Sequence, residues 1–390
     1  MWPAVAADAL DRFHITYSTD GLSDIFYRTY GDTLGNPLKL TSSGGFARQP
    51  TIGVTPAGFV HIAWNDTRSG VSEIYYISGD GVTWSGESAL TTQGAGAANP
   101  AIAVDTGGDV HVVWEDRRVL PGTSKIFYRR RAAGIWAPDQ QLTFEELTDS
   151  REPAVAVDLQ DRVHVVWKDE RVSYGEIYYR CWEAGAWGPE ERIMATIDKP
   201  ARTPAVACDA YGNVHAVWSD NTPGIYAIYY SIRNTVGWSQ PIRISTGIGP
   251  ARNPAIAVDE SGEVYVAWDD GRTGTYGIYF TERVPLPGGV PERPPVLAGA
   301  LSCEPNPFCG RAVIRMRSSD PSAGAGAALP LTIFAPDGRC VRVLAGSRAD
   351  AGLEFVWDGT DEAGRRMAPG TYFYRLEGPS RAAGRIVLIR

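Results

Sequence analysis

The chain writes nearly the same unit six times: a Pro-Ala-Ile-Ala-Val-Asp run, a four-residue turn, Val-His-Val-Val-Trp, an acidic loop, Ile-Tyr-Tyr, then Gly-x-Trp. The copies start at Pro3, Pro50, Pro100, Pro153, Pro204 and Pro254, spaced 47, 50, 53, 51 and 50 residues apart. A period of that size made only of short β-type runs is the mark of a β-propeller with one blade per copy. Each copy divides into four strand-like pieces. In the third they are Ala101 to Asp105, Val110 to Trp114, Ile126 to Arg130 and Trp136 to Thr143, with turns at Asp105-Thr-Gly-Gly and Ala133-Gly134. Alternation puts Val110, Val112 and Trp114 on one face and His111 and Val113 on the other, so both faces can be covered by neighbouring blades. The sixth copy is complete through Ile278-Tyr279-Phe280, and its fourth strand is either Val290 to Leu297 or missing. The fold class expected is therefore all-β: a six-bladed propeller over residues 1–297, closed into one ring.

With 390 residues, 44% hydrophobic and 21% charged, the chain can fill one large or two ordinary cores. A net charge of -8 argues against a nucleic-acid partner, which would need a basic face. No apolar run approaches the length of a membrane span. The first repeat begins within two residues of Met1, leaving no room for a signal peptide; the true amino terminus of a secreted form is expected upstream.

The second copy carries Ser78-Gly79-Asp80-Gly81-Val82-Thr83-Trp84, one residue short of the Ser-x-Asp-x-Gly-x-Thr-Trp Asp-box, and others keep its end, as in Gly134-Ile135-Trp136 and Gly185-Ala186-Trp187. In this the repeats resemble the sialidase-like, Asp-box (BNR-type) propellers. The resemblance implies a folding device in the turn between third and fourth strands, away from the active site, and says little about chemistry.

A second series of motifs occupies the last 85 or so residues: Pro305-Asn306-Pro307-Phe308, Leu331-Thr-Ile-Phe-Ala-Pro-Asp-Gly338-Arg339, Trp357-Asp358-Gly359-Thr-Asp361-Glu-Ala-Gly364, Gly370-Thr-Tyr-Phe-Tyr-Arg-Leu376 and Gly384-Arg-Ile-Val-Leu-Ile-Arg390. It resembles the carboxy-terminal sorting domain of type IX secretion cargo, which is similar to the immunoglobulin-like module of flagellar hook-capping proteins. Alternating runs at Val313 to Arg317, Leu331 to Phe334, Val341 to Leu344, Phe355 to Trp357, Tyr372 to Leu376 and Ile386 to Ile389 independently predict a small β-sandwich over residues 298–390. The Pro-rich stretch Val284 to Pro295 then reads as a semi-rigid linker. The resemblance implies the type IX secretion machinery as partner and a secreted or cell-surface location; an accessory domain without export role is the alternative.

Cys303, Cys309 and Cys340 fall in the second domain, where one bridge could form in an oxidising compartment, while Cys181 and Cys208 are expected free and buried. His14, His61, His111, His164 and His215 recur at one strand position, with Tyr265 in the sixth copy. Spread around a ring, they are expected to be structural, hydrogen-bonded imidazoles. The Asp-x-x-Gly turns at Asp105, Asp209 and Asp259, and the matching turn at Asp158 with Asp161 in the glycine place, are explained by hairpin chemistry without calcium. No metal site and no cofactor are expected.

The charged constellation is more informative. Arg48, Arg151, Arg202 and Arg252 stand two residues before a repeat-opening proline; Asp66, Asp116, Asp169, Asp220 and Asp270 close Trp-x-Asp, often followed by Arg68, Arg118, Arg171 and Arg272. The first strand starts where the second ends, so both sets ring one mouth of the central channel. Either each Arg-x-Pro arginine pairs with the Asp of an adjacent blade and stitches the ring, or the set forms a pocket for an anionic or hydroxyl-rich ligand. Sialidases clamp a substrate carboxylate with such arginines, but here the motif recurs in four repeats and no single Tyr and Glu pair stands out. The reading is a binding or adhesion protein with glycans as possible ligands. A sialidase-type glycoside hydrolase is the first alternative and a structural surface protein without small ligand the second.

Overall fold

The computed structural model describes the chain except residues 1, 11, 20–23, 32, 43, 93–95, 121, 146, 172–173, 194–199, 248, 260–261, 283–300, 305–308, 318–329, 336–339, 350–351, 377–382 and 390. It divides into two compact units, Met1–Val290 and Pro291–Arg390. The described segments are strands, turns and irregular chain, so the molecule is all-β. The expected linker and the candidate strand Val290 to Leu297 lie outside the described residues.

In the first unit each repeat folds into its own antiparallel sheet. Repeat 4 is representative, with strands Ser150–Val157, Val163–Asp169 and Glu176–Glu183 in sequence order, the third edged by Ala186–Trp187 and Glu191–Arg192. The fourth strand expected as one run is thus two short pieces. Repeat 3 shows the same, with Ile135–Trp136 and Gln140–Gln141 where Trp136 to Thr143 was expected. Pro138 and Pro189 fall between the pieces and offer no N–H to the ladder. The Ala133-Gly134 and Ala184-Gly185 turns have both residues at positive φ, which a tight hairpin between right-twisted strands requires.

Successive sheets pack face to face, and each of the five interfaces has its own apolar cluster. Ile25 and Tyr27 of repeat 1 meet Ile52, Val60, Ile62 and Trp64 of repeat 2, and the pattern recurs to Val217, Ile228 and Tyr230 of repeat 5 against Val264, Val266 and Trp268 of repeat 6. A buried side chain of this size stabilises by about 1.5–3 kcal/mol, so the interfaces hold the array together. Aromatic pairs fasten them: Tyr27, Tyr76, Tyr128 and Tyr179 meet the next repeat's Trp84, Trp136, Trp187 and Trp238 edge-on at 4.9–5.2 Å. The innermost strands of repeats 1 to 6 lie against one another in succession. Among the described residues no comparable packing joins Ala251–Val258 of repeat 6 to Trp2–Ala7 of repeat 1, so the expected single ring is not closed there.

The histidines hold each repeat together from within. Nδ1 of His14, His61, His111, His164 and His215 lies 2.6–2.9 Å from the hydroxyl of the repeat's own third-strand tyrosine. Nε2 of all but His61 lies 3.2–3.3 Å from the carboxylate of Asp8, Asp105, Asp158 or Asp209. The expected hydrogen-bonded imidazoles thus have side-chain partners. These aspartates also accept turn N–H groups, as Asp158 does from Gln160 and Arg162 at 2.9 Å. Repeat 2 has Thr55 at this place.

In the second unit two four-stranded antiparallel sheets share one core. One runs Leu301–Glu304, Ala312–Arg317, Gly352–Trp357, Ser347–Ala349; the other Cys340–Leu344, Leu331–Phe334, Gly370–Leu376, Ala383–Leu388. Ile314, Phe355 and Trp357 of the first interdigitate with Leu331, Ile333, Tyr372 and Ile386 of the second. The strands at Leu301 and Ser347 escaped the sequence reading because they are short edge strands. Cys309 and Cys340 are exposed free thiols, so they form no bridge, and Cys181 and Cys208 are free and half-buried.

Candidate functional site

Strand register brings the two charged sets to one end of each sheet. Arg48, Arg151, Arg202 and Arg252 stand opposite Asn65, Lys168, Ser219 and Asp269, the middle residues of the Trp-x-Asp motifs. From here the two sets behave differently.

The Trp-x-Asp carboxylates are used up within their own repeats. Asp66, Asp116, Asp169 and Asp270 are buried, and each accepts the indole N–H of Trp64, Trp114, Trp167 or Trp268 at 3.0–3.2 Å. Each also accepts the backbone N–H of the arginine two residues on, Arg68, Arg118, Arg171 or Arg272, at 2.9–3.0 Å. The same arginine's guanidinium closes an ion pair with the carboxylate, bidentate in Arg171 at 2.8 Å to both oxygens. It also lies 4.0–4.5 Å from the ring of Tyr75, Phe127, Tyr178 or Tyr279. Arg68, Arg118 and Arg171 reach Glu87, Asp139 and Glu190 of the outer edge as well. Burial alone would raise the Asp66 and Asp169 carboxyls, but these hydrogen bonds outweigh it and hold them below the ordinary range. In repeat 5 Asp220 instead accepts from the Thr222 amide at 2.6 Å and hydroxyl at 2.5 Å.

The Arg-x-Pro arginines therefore do not pair with these carboxylates, and the expected inter-repeat Arg–Asp stitching is not what the structure contains: the near arginine reaches the Asp first. Arg151 pairs with Asp149 at 2.7 Å. Arg48 lies over Phe46 at 5.0 Å. Arg202 bonds the Tyr226 hydroxyl with its guanidinium carbon 4.3 Å from that ring, and Arg252 lies 5.3 Å from the same ring and 5.8 Å from Tyr276. The buried Nε atoms of Arg151, Arg202 and Arg252 have no hydrogen-bond partner among the described residues. Nor does any described carboxylate pair with Arg202 or Arg252.

Stitching between repeats at this end runs instead through the residue just before the proline in repeats 2 to 5. Gln49, Asn99, Glu152, Thr203 and Asn253 all have φ between 49° and 53°, a left-handed conformation strained for non-glycine residues and more so ahead of proline. A bulge in each first strand holds it there, with the register shifting between Arg151 and Ala154 in repeat 4. The Gln49 side chain donates to Asn99 at 2.5 Å, Glu152 accepts the Thr203 N–H at 2.7 Å, and Glu115 accepts the Glu152 N–H at 3.1 Å.

The mouth is asymmetric, which the repeat pattern concealed. Repeats 5 and 6 contribute Arg202, Tyr226, Arg252 and Tyr276; repeats 3 and 4 contribute Glu115, Asp149 and Glu152. Tyr226 and Tyr276 went unnoticed, although the sequence signals them: they stand two residues before the Ile of Ile-Tyr-Tyr or Ile-Tyr-Phe, where repeats 2, 3 and 4 have Ser72, Ser124 and Gly175. The Asp80 turn lies at the opposite end of its sheet, where Asp80 caps the amides of Val82 and Thr83 at 2.9 and 2.6 Å.

No protein-family model matches the chain. No curated protein matches it either. Solved structures do. An α-L-arabinofuranosidase from Fusarium graminearum in complex with an iminosugar inhibitor is 13% identical, with 73% of this chain and 92% of that one covered at a TM-score of 0.54. An α-L-arabinanase from Penicillium chrysogenum complexed with arabinobiose gives 13%, 72%, 93% and 0.52. A PL25 ulvan lyase bound to -[GlcA(1-4)Rha3S]- gives 12%, 90%, 92% and 0.50. The chain has a β-propeller fold. At these identities the likeness speaks for fold alone.

Proposed function

We propose that the first unit binds acidic glycans at its mouth, with Arg202 and Arg252 clamping a carboxylate or sulfate and Tyr226 as the platform between them. The observation that carries this reading is the pair of guanidinium groups flanking one tyrosine ring without a described carboxylate partner. Planar guanidinium donors suit oxyanions, and a hydrogen bond to a charged group contributes about 1.5–3 kcal/mol. The glycan chemistry of the fold neighbours supports a saccharide over another anion. On a glycan array the full chain should retain carboxylated or sulfated saccharides over neutral ones. Arg202→Ala and Arg252→Ala should each weaken binding about 10- to 100-fold with little change in melting temperature. Equal retention of neutral glycans, or unchanged binding by both variants, would sink the reading.

One observation favours a hydrolytic reading as well. The Glu115 carboxylate accepts the Glu152 backbone N–H and the Glu152 carboxylate accepts the Thr203 N–H, so both carboxylates lie at the Arg-x-Pro end of their sheets, and glycoside cleavage uses two carboxylates flanking the scissile bond. Turnover of sialosides, uronides or arabinosides by the purified chain, abolished in a stably folded Glu152→Gln variant, would establish it. Under either reading the sandwich unit serves type IX sorting and attachment of a secreted or cell-surface protein, on the strength of the motif series from Leu331 to the carboxyl end.

A further inference from the structure

The two terminal repeats leave bare the faces that every internal interface buries. Ile25, Ile74, Ile126, Ile177 and Ile228 are buried under the next repeat, as are Tyr27, Tyr76, Tyr128, Tyr179 and Tyr230. At the same positions in repeat 6, Ile278 is 78% exposed and Phe280 68%. The complementary face shows the same break. Val60, Ile62 and Trp64 of repeat 2 are fully buried against repeat 1, whereas their counterparts Phe13, Ile15 and Tyr17 run from exposed to half-buried, and Val5, the counterpart of Ile52, is 62% exposed.

Sequence changes accompany the exposure. Repeat 6 has Tyr265 for the histidine and Phe280 for the tyrosine. Repeat 1 has Leu34 where repeat 2 has Trp84, each bridged back to the end of its third strand. The seam thus lacks the imidazole–tyrosine pair and the indole of the internal interfaces, Tyr265 instead bonding Asp259 at 3.0 Å, and the side chains at these positions are apolar or aromatic. Terminal repeats of stacked arrays ordinarily carry polar outer faces that keep them apart. These do not.

We propose that the two bare faces join a second copy of this chain head to tail, repeat 6 of one copy covering repeat 1 of the next. The occupant follows from the faces themselves: the partner that covers an Ile278/Phe280-type face in all five internal interfaces is a Phe13/Ile15/Tyr17-type face, and within one copy no comparable packing joins the two among the described residues. Because the two surfaces differ, the contact is heterologous and either closes a small ring of copies or runs on as a filament. It is independent of the glycan reading.

Sedimentation and light scattering of the full chain over a wide concentration range should show reversible association. Ile278→Asp with Phe280→Lys blocks one face, and Val5→Asp with Phe13→Lys blocks the other. Each doubly substituted chain alone should be monomeric, and an equimolar mixture should form one-to-one dimers that grow no further. Hydrogen exchange of the unsubstituted chain provides a readout needing no variant: Gly277–Glu282 and Phe13–Ser18 should gain protection as concentration rises. A chain monomeric throughout, a mixture that stays monomeric, or protection that ignores concentration would overturn the proposal. The last outcome is what a ring closed on itself, or a face covered by other polypeptide, would give.

Discussion

Asp169 and Arg151 look interchangeable as members of one charged ring, yet their surroundings assign them different work. The Asp169 carboxylate is fully buried and takes hydrogen bonds from Trp167, Arg171 and Ser150, so Asp169→Ala should cost about 3 kcal/mol by stranding its donors. Arg151 and Asp149 are both partly exposed, and Arg151→Ala should cost under about 1 kcal/mol. Denaturant midpoints at unchanged slope measure both. Repeat 2 offers a test by pH. Burial, with Arg131 nearby, brings the His61 imidazole down to about 4, and Thr55 supplies none of the carboxylate that His164 receives from Asp158. A depressed imidazole favours the fold above its unfolded value of about 6.5, and that share is lost as pH falls through 4. Thr55→Asp should raise the His61 midpoint by about one unit or more in an NMR titration and flatten stability loss over that window. Asp158 and Asp209 work further down: burial alone would raise them, but their imidazoles and turn N–H groups bring both to about 2. Their stabilisation holds above about 3.9 and disappears as pH falls through 2.

At the scale of the strand, the bulge at the opening proline of repeats 2 to 6 is the feature that sequence periodicity could not reveal, because alternation describes a regular ladder and a bulge breaks it. Asn253 is exposed with φ 49°. Asn253→Gly should leave stability unchanged or raise it by up to about 1 kcal/mol, since glycine adopts this conformation without strain. Asn253→Val should lower it by about 1–2 kcal/mol. Thermal unfolding of the two variants side by side checks the sign difference, and equal effects would mean that the bulge relaxes. The strands themselves were legible in the repeats, as were the hairpin turns. The reduced fourth strand was legible only through Pro138 and Pro189, whose missing N–H groups decide where the edge pieces end.

For the molecule as a whole, each unit's apolar clusters are drawn from its own residues. A chain ending at Val290 should therefore keep the melting transition of the first unit within a few degrees and lose the second. If the sandwich is a sorting module, the same truncation should also abolish surface display in the native host. Undiminished display would remove the sorting role without touching the fold, and a collapsed transition would show that the first unit depends on the second. Calorimetry separates these outcomes.

What the sequence by itself determined is whatever repeats: one sheet per copy, the Trp-x-Asp-x-Arg and histidine positions, and the end of the sheet at which charge gathers. Those depend on local spacing and strand alternation, which are written in order along the chain. Only the tertiary structure decided which arginine takes which carboxylate, because Arg171 at two residues' remove reaches Asp169 before any Arg-x-Pro arginine can. It also decided that Arg202 and Arg252, fifty residues apart, share the ring of Tyr226, and that the faces of repeats 1 and 6 stay open. Both depend on how one sheet is rotated against the next, a quantity set by side-chain packing across five interfaces and carried by no single repeat.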